Sequence, residues 1–231
     1  MSAWAIIMAG GRGERMGTDI PKQLIPLHGE TILERTLKPF VRCTGIEGII
    51  TVAAPDFIKH IRSAVKHCAT TKKITVVKGG PTRQDSVWNG LTAVPKGVEV
   101  VVIHDAVRPF ITGELIKKCV HSAREYGAVT VMRPLKETIK VVSNGVVVET
   151  PDRSSLWVTQ TPQAFRTDLI IKAHEQAHVE GFNGTDDCIL VEHLGHSVKV
   201  IEGSDLNIKI TTPADLTVAG TLIKLYDFLE E

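Results

Sequence analysis

The residues of this chain best suited to chemistry are glycines and cations that follow its first apolar segment. Residues 3–9 are apolar, and residues 10–17 then run Gly-Gly-Arg-Gly-Glu-Arg-Met-Gly, with Lys22 a little further on. Glycine adopts backbone angles that let amide groups face an anion, and Arg12, Arg15 and Lys22 add positive charge around the same turn. A buried strand that leads into a basic, glycine-rich turn predicts a polyphosphate-binding loop.

Spacing excludes two common phosphate-binding motifs at this loop. A dinucleotide fingerprint requires glycine three residues after Gly13, where the chain has Met16. A P-loop ends in Gly-Lys-Ser/Thr, whereas Gly17 is followed directly by Thr18. An ordinary strand-to-helix turn stays open as the alternative.

A second polar group follows the apolar segment 100–103, where residues 104–109 are His-Asp-Ala-Val-Arg-Pro. Ligands of open α/β sheets bind beyond the carboxyl ends of the strands. We therefore expect Asp105 to hold Mg²⁺ and the planar guanidinium of Arg108 to bind a phosphate. A surface ion pair between these two residues is the alternative.

Three more segments carry residues that a nucleotide or phosphate site would use. Residues 79–86 lead from a strand into a helix, and their glycines and Ser86 are suited to contacts with a base edge. Arg153 follows a β-rich segment, and Lys209 lies within 208–210, which we predict to be a short strand. A lysine in so apolar a strand is unfavourable unless it is paired, so we expect Lys209 to serve a site.

One segment matches a different chemistry. His174-Glu175-Gln176-Ala177-His178 fits H-E-x-x-H, in which two histidines bind zinc and the glutamate acts as base. The third histidine of the longer version of this motif falls on Gly184. We expect the helix 167–180 to place His174 and His178 at the solvated edge of its apolar face. A zinc metallohydrolase that uses His174, Glu175 and His178 is kept as a remote alternative.

Apolar, β-rich segments alternate with segments of helical periodicity along the chain. The predicted strands are residues 4–8, 49–53, 74–77, 100–103, 129–132, 198–201 and 208–210. Helices are predicted to start at the capping box of Thr31 and Glu34, at Arg83, at Thr112 and at Thr212-Pro213. This alternation predicts an α/β fold of three layers, in which a mainly parallel, Rossmann-like sheet has helices on both faces.

One stretch departs from the alternation. Residues 138–142 and 146–150 are β-rich and are joined by Ser143-Asn144-Gly145, and Asn-Gly is the strongest short hairpin signal. We expect a β-arm at about residues 136–155, inserted in a single domain that spans residues 1–231. A bare hairpin is only marginally stable, so the arm is expected to rest on a partner subunit.

Composition narrows the class of protein. Of the 231 residues, 43% are hydrophobic and 23% charged, and the formal net charge is +1, so neither nucleic acid nor a membrane is an expected partner. The four cysteines form no C-x-x-C pair, which argues against a zinc ribbon or redox dithiol. The apolar N-terminus is too short to span a bilayer and lacks a basic leader, so we expect a cytoplasmic protein.

Taken together, the motifs resemble the 2-C-methyl-D-erythritol 4-phosphate cytidylyltransferase family over essentially the whole chain. The segments that carry this resemblance are 9–23, 79–87, 104–109, 137–140, 152–165, 185–187 and 207–216, of which 152–165 and 207–216 are the most specific. The resemblance implies a nucleotidyltransferase that uses Mg²⁺ to join CTP and a polyol phosphate, 2-C-methyl-D-erythritol 4-phosphate, with release of pyrophosphate.

The resemblance also implies roles for individual residues. Arg15, Lys22, Arg153 and Lys209 match catalytic positions. The nucleotide is expected at Ala9, Gly10, Gly11, Gly13, Gly80, Ser86, Asp105 and Thr161, and the polyol phosphate at Asp105, Arg108, Thr138, Arg153, Thr185 and Lys209. Thr138 and Arg153 match positions on an arm that reaches the neighbouring subunit's site, which implies a homodimer.

Two positions depart from the family pattern and two further functions stay open. Met8 stands where the family usually has proline and Gly10 where it has alanine, which brings residues 8–11 closer to the molybdenum-cofactor guanylyltransferases. Ribitol-5-phosphate cytidylyltransferase shares the patterns at 104–109 and 207–213. A nucleotide-binding regulator without turnover is the third possibility.

Overall fold

A computed structural model describes residues 2–11, 20–68 and 70–230, with side chains described up to residue 224. Its centre is a seven-stranded sheet in the order β11-β7-β10-β6-β1-β4-β5. The strands of this sheet are β1 (Ala3–Ala9), β4 (Gly48–Ala53), β5 (Lys73–Lys78), β6 (Val100–Asp105), β7 (Ala128–Pro134), β10 (Trp157–Arg166) and β11 (Lys199–Glu202). Two short hairpins add β2 (Pro26–Leu27) with β3 (Glu30–Thr31), and β8 (Val141–Ser143) with β9 (Val146–Glu149).

The sheet is mainly parallel, as the alternating pattern predicts. The pairs β1–β4, β1–β6, β4–β5 and β7–β11 are parallel, whereas β10 runs antiparallel to both β6 and β7. β10 is absent from the strands predicted from sequence. It contains Pro162 and several polar residues, and its pairing with β7 shifts register between Thr159 and Gln163. Proline and polar residues usually mark the end of a strand. The apolar pattern used to predict strands therefore missed β10.

Helices cover both faces of this sheet, which confirms the three-layer prediction. They are α1 (Ile32–Arg42), α2 (Ile58–Lys66), α3 (Arg83–Thr92), α4 (Gly113–Tyr126), α5 (Thr167–Glu180), α6 (Cys188–His193) and α7 (Pro213–Glu230). One core lies between the sheet and α1, α2 and α4, and a second lies between the sheet and α3, α5 and α6. Ala5 and Ile7 face the first core while Trp4 and Ile6 face the second, as alternation along a buried strand requires.

Side-chain caps fix where the helices begin. Thr31 Oγ1 accepts from the amide of Glu34, while the Glu34 carboxylate accepts from the amide of Thr31, so the predicted capping box is confirmed. Thr112 caps α4 through one contact, in which its Oγ1 accepts from the amide of Leu115. Gly127 ends that helix with a φ of +84°, a conformation that glycine adopts without strain.

The predicted strand at 208–210 is wrong. These residues form no strand; the amide of Ile210 donates only to Val107 O, at 2.9 Å. Ile210 is instead buried in a third cluster, in which α7 packs on Leu27 and Val107. The segment is apolar because α7 covers it.

The β-arm forms the hairpin that Asn144-Gly145 predicts, and both of these residues have positive φ. Its large apolar side chains are exposed; with flanking residues they are Ile139, Val141, Val142, Val146, Val147, Val148 and Trp157. The four cysteines are free thiols. Among the described residues, no helix has the length and apolar character needed to cross a membrane.

Candidate active site

A cleft of about 280 Å³ opens at the carboxyl edge of the parallel strands. Gly10 and Gly11 follow β1, Gly80 follows β5 and Asp105 ends β6, so parallel strands bring these positions together. The residues lining the cleft are Met8, Gly10, Gly11, Lys22, Gln23, Gly80, Pro81, Thr82, Arg83, Ser86, Asp105, Val107 and Lys209. The structure therefore unites the glycine-rich turn, Asp105 and Lys209, which lie far apart in sequence.

Asp105 is the charged centre of the cleft. Lys209 Nζ lies 2.9 Å and Arg108 Nε 3.4 Å from its Oδ2 atom. Burial alone would raise the pKa of this carboxyl, but Lys209 and Arg108 outweigh burial and lower the pKa to about 2. Asp105 is therefore ionised at any physiological pH, as a carboxylate that binds a cation must be.

A chain of hydrogen bonds through Thr161 and His104 fixes the carboxyl end of β6. The amide of Asp105 donates to Thr161 Oγ1 at 3.1 Å, and that oxygen lies 2.9 Å from His104 Nδ1. His104 Nε2 lies 3.1 Å from Arg108 O, which can only accept, so Nε2 carries the proton and Nδ1 accepts from the Thr161 hydroxyl. Burial lowers the pKa of His104 to about 4, so the imidazole is neutral. Thr161 is itself buried and supports Asp105 through this contact.

The turn after β5 is built by Ser86 and by a cap on α3. The amide of Gly80 donates to Ser86 Oγ at 3.0 Å, and that hydroxyl donates to Thr82 O at 2.8 Å. Thr82 and Asp85 form a second capping box. Gly80 leaves no room for a side chain, because an added Cβ would collide with Asp85 Cβ. These contacts fix the turn at the lining of the cleft, with the Gly80 amide and the Ser86 hydroxyl bonded within the turn.

The first glycine turn is described only in part. Gly10 and Gly11 line the cleft, and a Cβ on Gly11 would lie 3.9 Å from Lys22 Cε, so Lys22 passes beside this turn. Ala9 is buried, and its carbonyl accepts from Gln23 Nε2 at 2.7 Å. The predicted site residues Gly13 and Arg15, together with Arg12, lie outside the described residues.

Arg108 is buried and pairs with Asp105, so the ion pair that the sequence leaves open as the alternative exists, but inside the protein and not at its surface. Arg108 NH1 donates to Asn207 O at 2.8 Å, and Asn207 Nδ2 donates to Thr161 O at 2.8 Å. Asn207 is also buried and holds the segment that carries Lys209. Pattern reasoning gave Asn207 no role, although it begins the Asn-Ile-Lys motif.

Six predicted residues in the described part of the chain lie outside the lining of this cleft. Three of them, Ala9, Arg108 and Thr161, are buried. Thr138 and Arg153 are exposed on the β-arm, where Arg153 NH1 donates to Lys136 O at 3.1 Å. Thr185 is exposed on the loop between α5 and α6. Among the charged residues of the cleft, sequence reasoning gave no site role to Arg83, whose NH2 lies 2.7 Å from Asp187 Oδ2. Burial opposes the charge of Arg83, but Asp187 outweighs it and raises its pKa.

The expected position of His174 is wrong. Rather than lying at a solvated edge, His174 is buried, stacks on Trp88 and has Nε2 3.5 Å from Asp187 Oδ1, whereas His178 is exposed. The Asp187 carboxylate, from the loop that follows α5, lies beside His174, and the helical pattern alone does not reveal this contact. Among the described residues, no group of three or more His, Cys, Asp or Glu side chains could hold a metal ion. The zinc alternative therefore has no support from the geometry.

A larger cavity, of about 570 Å³, lies between α1 and the start of α4. Two of the cationic side chains that line this cavity already bind other protein groups. Arg35 donates to Leu27 O and His28 O, and Lys38 lies 2.5 Å from Glu30. The cleft at the carboxyl edge, where cations, glycine turns and an ionised carboxylate converge, is the better candidate for the active site.

Such a sheet, with a cationic, glycine-lined cleft at the carboxyl ends of its strands, defines an α/β protein of the nucleotidyltransferase class. Residues 3–224 match the family model described as 2-C-methyl-D-erythritol 4-phosphate cytidylyltransferase. The chain belongs to this family.

Individual relatives agree over nearly the full length. Proteins named 2-C-methyl-D-erythritol 4-phosphate cytidylyltransferase from Geobacter metallireducens and Caldanaerobacter subterraneus are 44% and 42% identical, each over 97% of this chain and over 98% and 100% of their own lengths. The structure of 4-diphosphocytidyl-2C-methyl-D-erythritol synthase from Anaerococcus prevotii has a TM-score of 0.85 at 34% identity, covering 96% of both chains. The Thermus thermophilus cytidylyltransferase structure has a TM-score of 0.80 at 29% identity, covering 97% of this chain and 100% of that one.

Proposed function

We propose that this protein transfers the cytidylyl group of CTP to 2-C-methyl-D-erythritol 4-phosphate. A phosphate oxygen of the polyol phosphate attacks the α-phosphorus of CTP, the bond to the β-phosphate breaks, and pyrophosphate leaves. The products are 4-diphosphocytidyl-2-C-methyl-D-erythritol and pyrophosphate, a step of the non-mevalonate route to isoprenoids. The observation that carries this proposal is the convergence of Lys22, Lys209 and the glycine turns in one cleft, in a chain of this family.

The nucleophile needs no general base. A phosphomonoester has its second pKa near ~6, so the attacking phosphate is mostly a dianion at neutral pH. His104, the neighbour of Asp105, agrees with this, since it is buried and neutral and both of its ring nitrogens are engaged. The barrier lies in bringing two anions together, so catalysis depends on positioning and on cationic stabilisation.

The cations divide between the two substrates. Lys22 and Arg15 would grip the triphosphate and stabilise charge at the α-phosphorus. Lys209 and Arg108 would orient the attacking phosphate from the Asp105 side, where Lys209 is 42% exposed and reachable. Because Arg108 is buried and bound to Asp105 and Asn207, its contribution would come mainly through the placement of Lys209 and Asp105.

The nucleotide would occupy the glycine side of the cleft. The backbone at Gly10, Gly11 and Gly13 would face the phosphates, Gly80 and Ser86 would contact the base and ribose, and Ala9 and Thr161 would support the strands beneath. Thr185 would contact the polyol phosphate from the opposite side.

Asp105 fits a magnesium ion that binds together with CTP. Mg²⁺ in nucleotide sites takes one or two carboxylates and completes its shell with phosphate oxygens and water. Asp105 is an ionised carboxylate in the cleft, so a cluster of protein ligands is unnecessary. When bound, the ion would neutralise charge on the triphosphate.

The β-arm would join two subunits and complete the site of each. Its exposed valines form an apolar surface that a monomer would leave in water. In this arrangement the whole chain is one catalytic domain, and Thr138 and Arg153 of the arm reach the partner's cleft.

A mixture of Arg153→Ala and Lys22→Ala proteins tests this arrangement, because a hybrid dimer holds one intact site. Activity that does not recover after subunit exchange would argue against a shared site.

The decisive experiment measures pyrophosphate release while crossing CTP, GTP and UTP with 2-C-methyl-D-erythritol 4-phosphate and ribitol 5-phosphate. We expect turnover with CTP and the methylerythritol phosphate. A preference for ribitol 5-phosphate would assign the chain to the other cytidylyltransferase, and nucleotide binding without turnover with any alcohol would favour a regulator.

A further inference from the structure

A buried ionic network lies behind the nucleotide-binding turn, and the proposed reaction does not use it. Asp187 is 1% exposed, and its Oδ2 accepts from Arg83 NH2 at 2.7 Å. Its Oδ1 lies 3.5 Å from His174 Nε2, and His174 is buried against Trp88 with ring centroids 6.1 Å apart. Burying the Asp187 carboxylate has a large desolvation cost, and apolar residues of similar size often stabilise a core as well as an ion pair does. A role beyond stability is therefore expected.

The network joins two segments that contact different substrates in the proposed reaction. Arg83 is the first residue of α3 and directly follows the turn of Gly80. Asp187 ends the loop 181–187, which carries Thr185. The ion pair therefore ties the loop of the polyol phosphate to the turn of the nucleotide.

Gln84, the next residue of α3, binds the same loop through its backbone. Its Nε2 donates to Phe182 O at 3.0 Å, and its Oε1 accepts from the amide of Gly184, also at 3.0 Å. Adjacent residues of one helix start thus hold the loop at both ends and leave the side chain of Thr185 exposed between them.

A third set of contacts to the loop 181–187 comes from the central sheet. Gln163 of β10 accepts from the amide of Asp187 at 3.2 Å and donates to Asp186 Oδ2 at 2.7 Å. Asp186 Oδ1 in turn accepts from the amide of Ile189 at the start of α6. The contacts of Arg83, Gln84 and Gln163 fix the conformation of a partly exposed loop. We take this as an indication that the loop positions a group of the active site.

We infer that Arg83, Gln84 and Asp187 are positioning residues that fix the loop 181–187 against the nucleotide turn and thereby place Thr185 for the polyol phosphate. This inference rests on the proposed function and deepens it. The buried His174 of the H-E-x-x-H segment lies beside this network, with its Nε2 3.5 Å from the second carboxylate oxygen of Asp187. In the proposed reaction the loop contacts only the polyol phosphate. A substitution that disorders the loop is therefore expected to weaken binding of the polyol phosphate more than binding of CTP.

The test uses Gln84→Ala, because Asp187→Ala would remove a buried carboxylate, leave the partly buried guanidinium of Arg83 without this partner and endanger the fold. Gln84→Ala removes two loop contacts and no charge. Gln176→Ala is the matched control, since Gln176 on α5 donates to Glu180 and not to the loop. Asp187→Asn serves as a second variant that keeps the shape of the side chain.

Two measurements are made: KM for each substrate, and hydrogen–deuterium exchange of residues 181–187. For Gln84→Ala we expect KM for the polyol phosphate to rise about 10-fold with KM for CTP within about 2-fold, since a misplaced contact lowers effective positioning. Exchange in the loop should become faster while the unfolding midpoint stays near that of the control. Asp187→Asn should change both measurements in the same direction.

Unchanged loop exchange in Gln84→Ala would overturn the inference. Faster exchange with equal rises in both KM values would also overturn it, because the contacts would then support the fold and not one substrate. If the unmodified protein gives no turnover with any alcohol phosphate, the proposed function fails. Hydrogen–deuterium exchange of residues 181–187 still reports on whether Gln84 fixes the loop.

Discussion

Lys209 Nζ lies 2.9 Å from Asp105 Oδ2, joining the segment before α7 to the end of β6. This contact brings a cation into the cleft from a part of the chain that belongs to no strand. It also sets the charge of the site, since Lys209 does most to offset the effect of burial on the pKa of Asp105. The pair therefore links the placement of the lysine to the ionisation of the carboxylate.

Replacement of Lys209 by alanine is expected to lower kcat/KM by about 10²–10³, the usual effect of removing one preorganised charge from a transition state. Lys209→Arg, which keeps the charge, should retain part of the activity. Lys118→Ala removes an exposed lysine of α4 and should leave the rate unchanged. Steady-state pyrophosphate release measures all three, and a normal rate in Lys209→Ala would remove this residue from the reaction.

Lys22→Ala should lower kcat far more than it weakens CTP binding. The side chain passes beside Gly11, where the triphosphate is proposed to lie, and its charge is needed most when negative charge builds at the α-phosphorus. Single-turnover rates and CTP titration separate the two effects. A variant with nearly normal kcat and poor CTP affinity would show that Lys22 only binds the ground state.

Gly80→Ala is expected to weaken CTP binding at least ~10-fold, because a small displacement of a binding turn disrupts positioning. The added Cβ would collide with Asp85 Cβ and lie 3.1 Å from the Asp85 carbonyl carbon, so the turn must move. Gly113→Ala is the control, since a Cβ there meets no described atom within 4 Å. Calorimetric titration with CTP provides the measurement, and equal affinity in both variants would contradict the role of this turn.

Much of this fold follows from local pattern. Apolar strands that alternate with amphipathic segments predict the parallel sheet, and Thr31 with Glu34 predicts the start of α1, because both signals depend on neighbours in sequence. The resemblance brings Asp105, Lys209 and Gly80 into one site, and the structure places them in one cleft.

The features that escaped prediction depend on distant contacts. β10 contains Pro162, yet it pairs on both sides because β6 and β7 flank it. Ile210 is buried by α7 and not by strand pairing. His174 is enclosed by Trp88 of α3 and by Asp187 of the loop after α5, so its helical periodicity gave the wrong environment.

Acidification should destabilise the protein through His104. Burial lowers its pKa to about 4, against 6.5 for an unconstrained imidazole. Between these values the unfolded chain binds a proton that the folded protein does not, so the free energy of unfolding falls as pH drops from 6.5 towards 4, by about 3 kcal/mol. Urea unfolding at a series of pH values should show this slope, His104→Asn should flatten it, and exposed His121→Asn should not. An unchanged slope in His104→Asn would contradict the assignment.

Val147→Glu in the β-arm is expected to convert a dimer into monomers and to lower activity with it. Val147 is 54% exposed and pairs across the hairpin with Val142, so a carboxylate there would be buried without a partner in the proposed interface. Val179→Glu is the matched control, because Val179 is 81% exposed on α5, away from the arm. Light scattering after size-exclusion chromatography gives the mass, and pyrophosphate release gives the activity. An unmodified protein that is already a fully active monomer would refute the shared site, since Arg153 and Thr138 would then have no neighbouring cleft to complete.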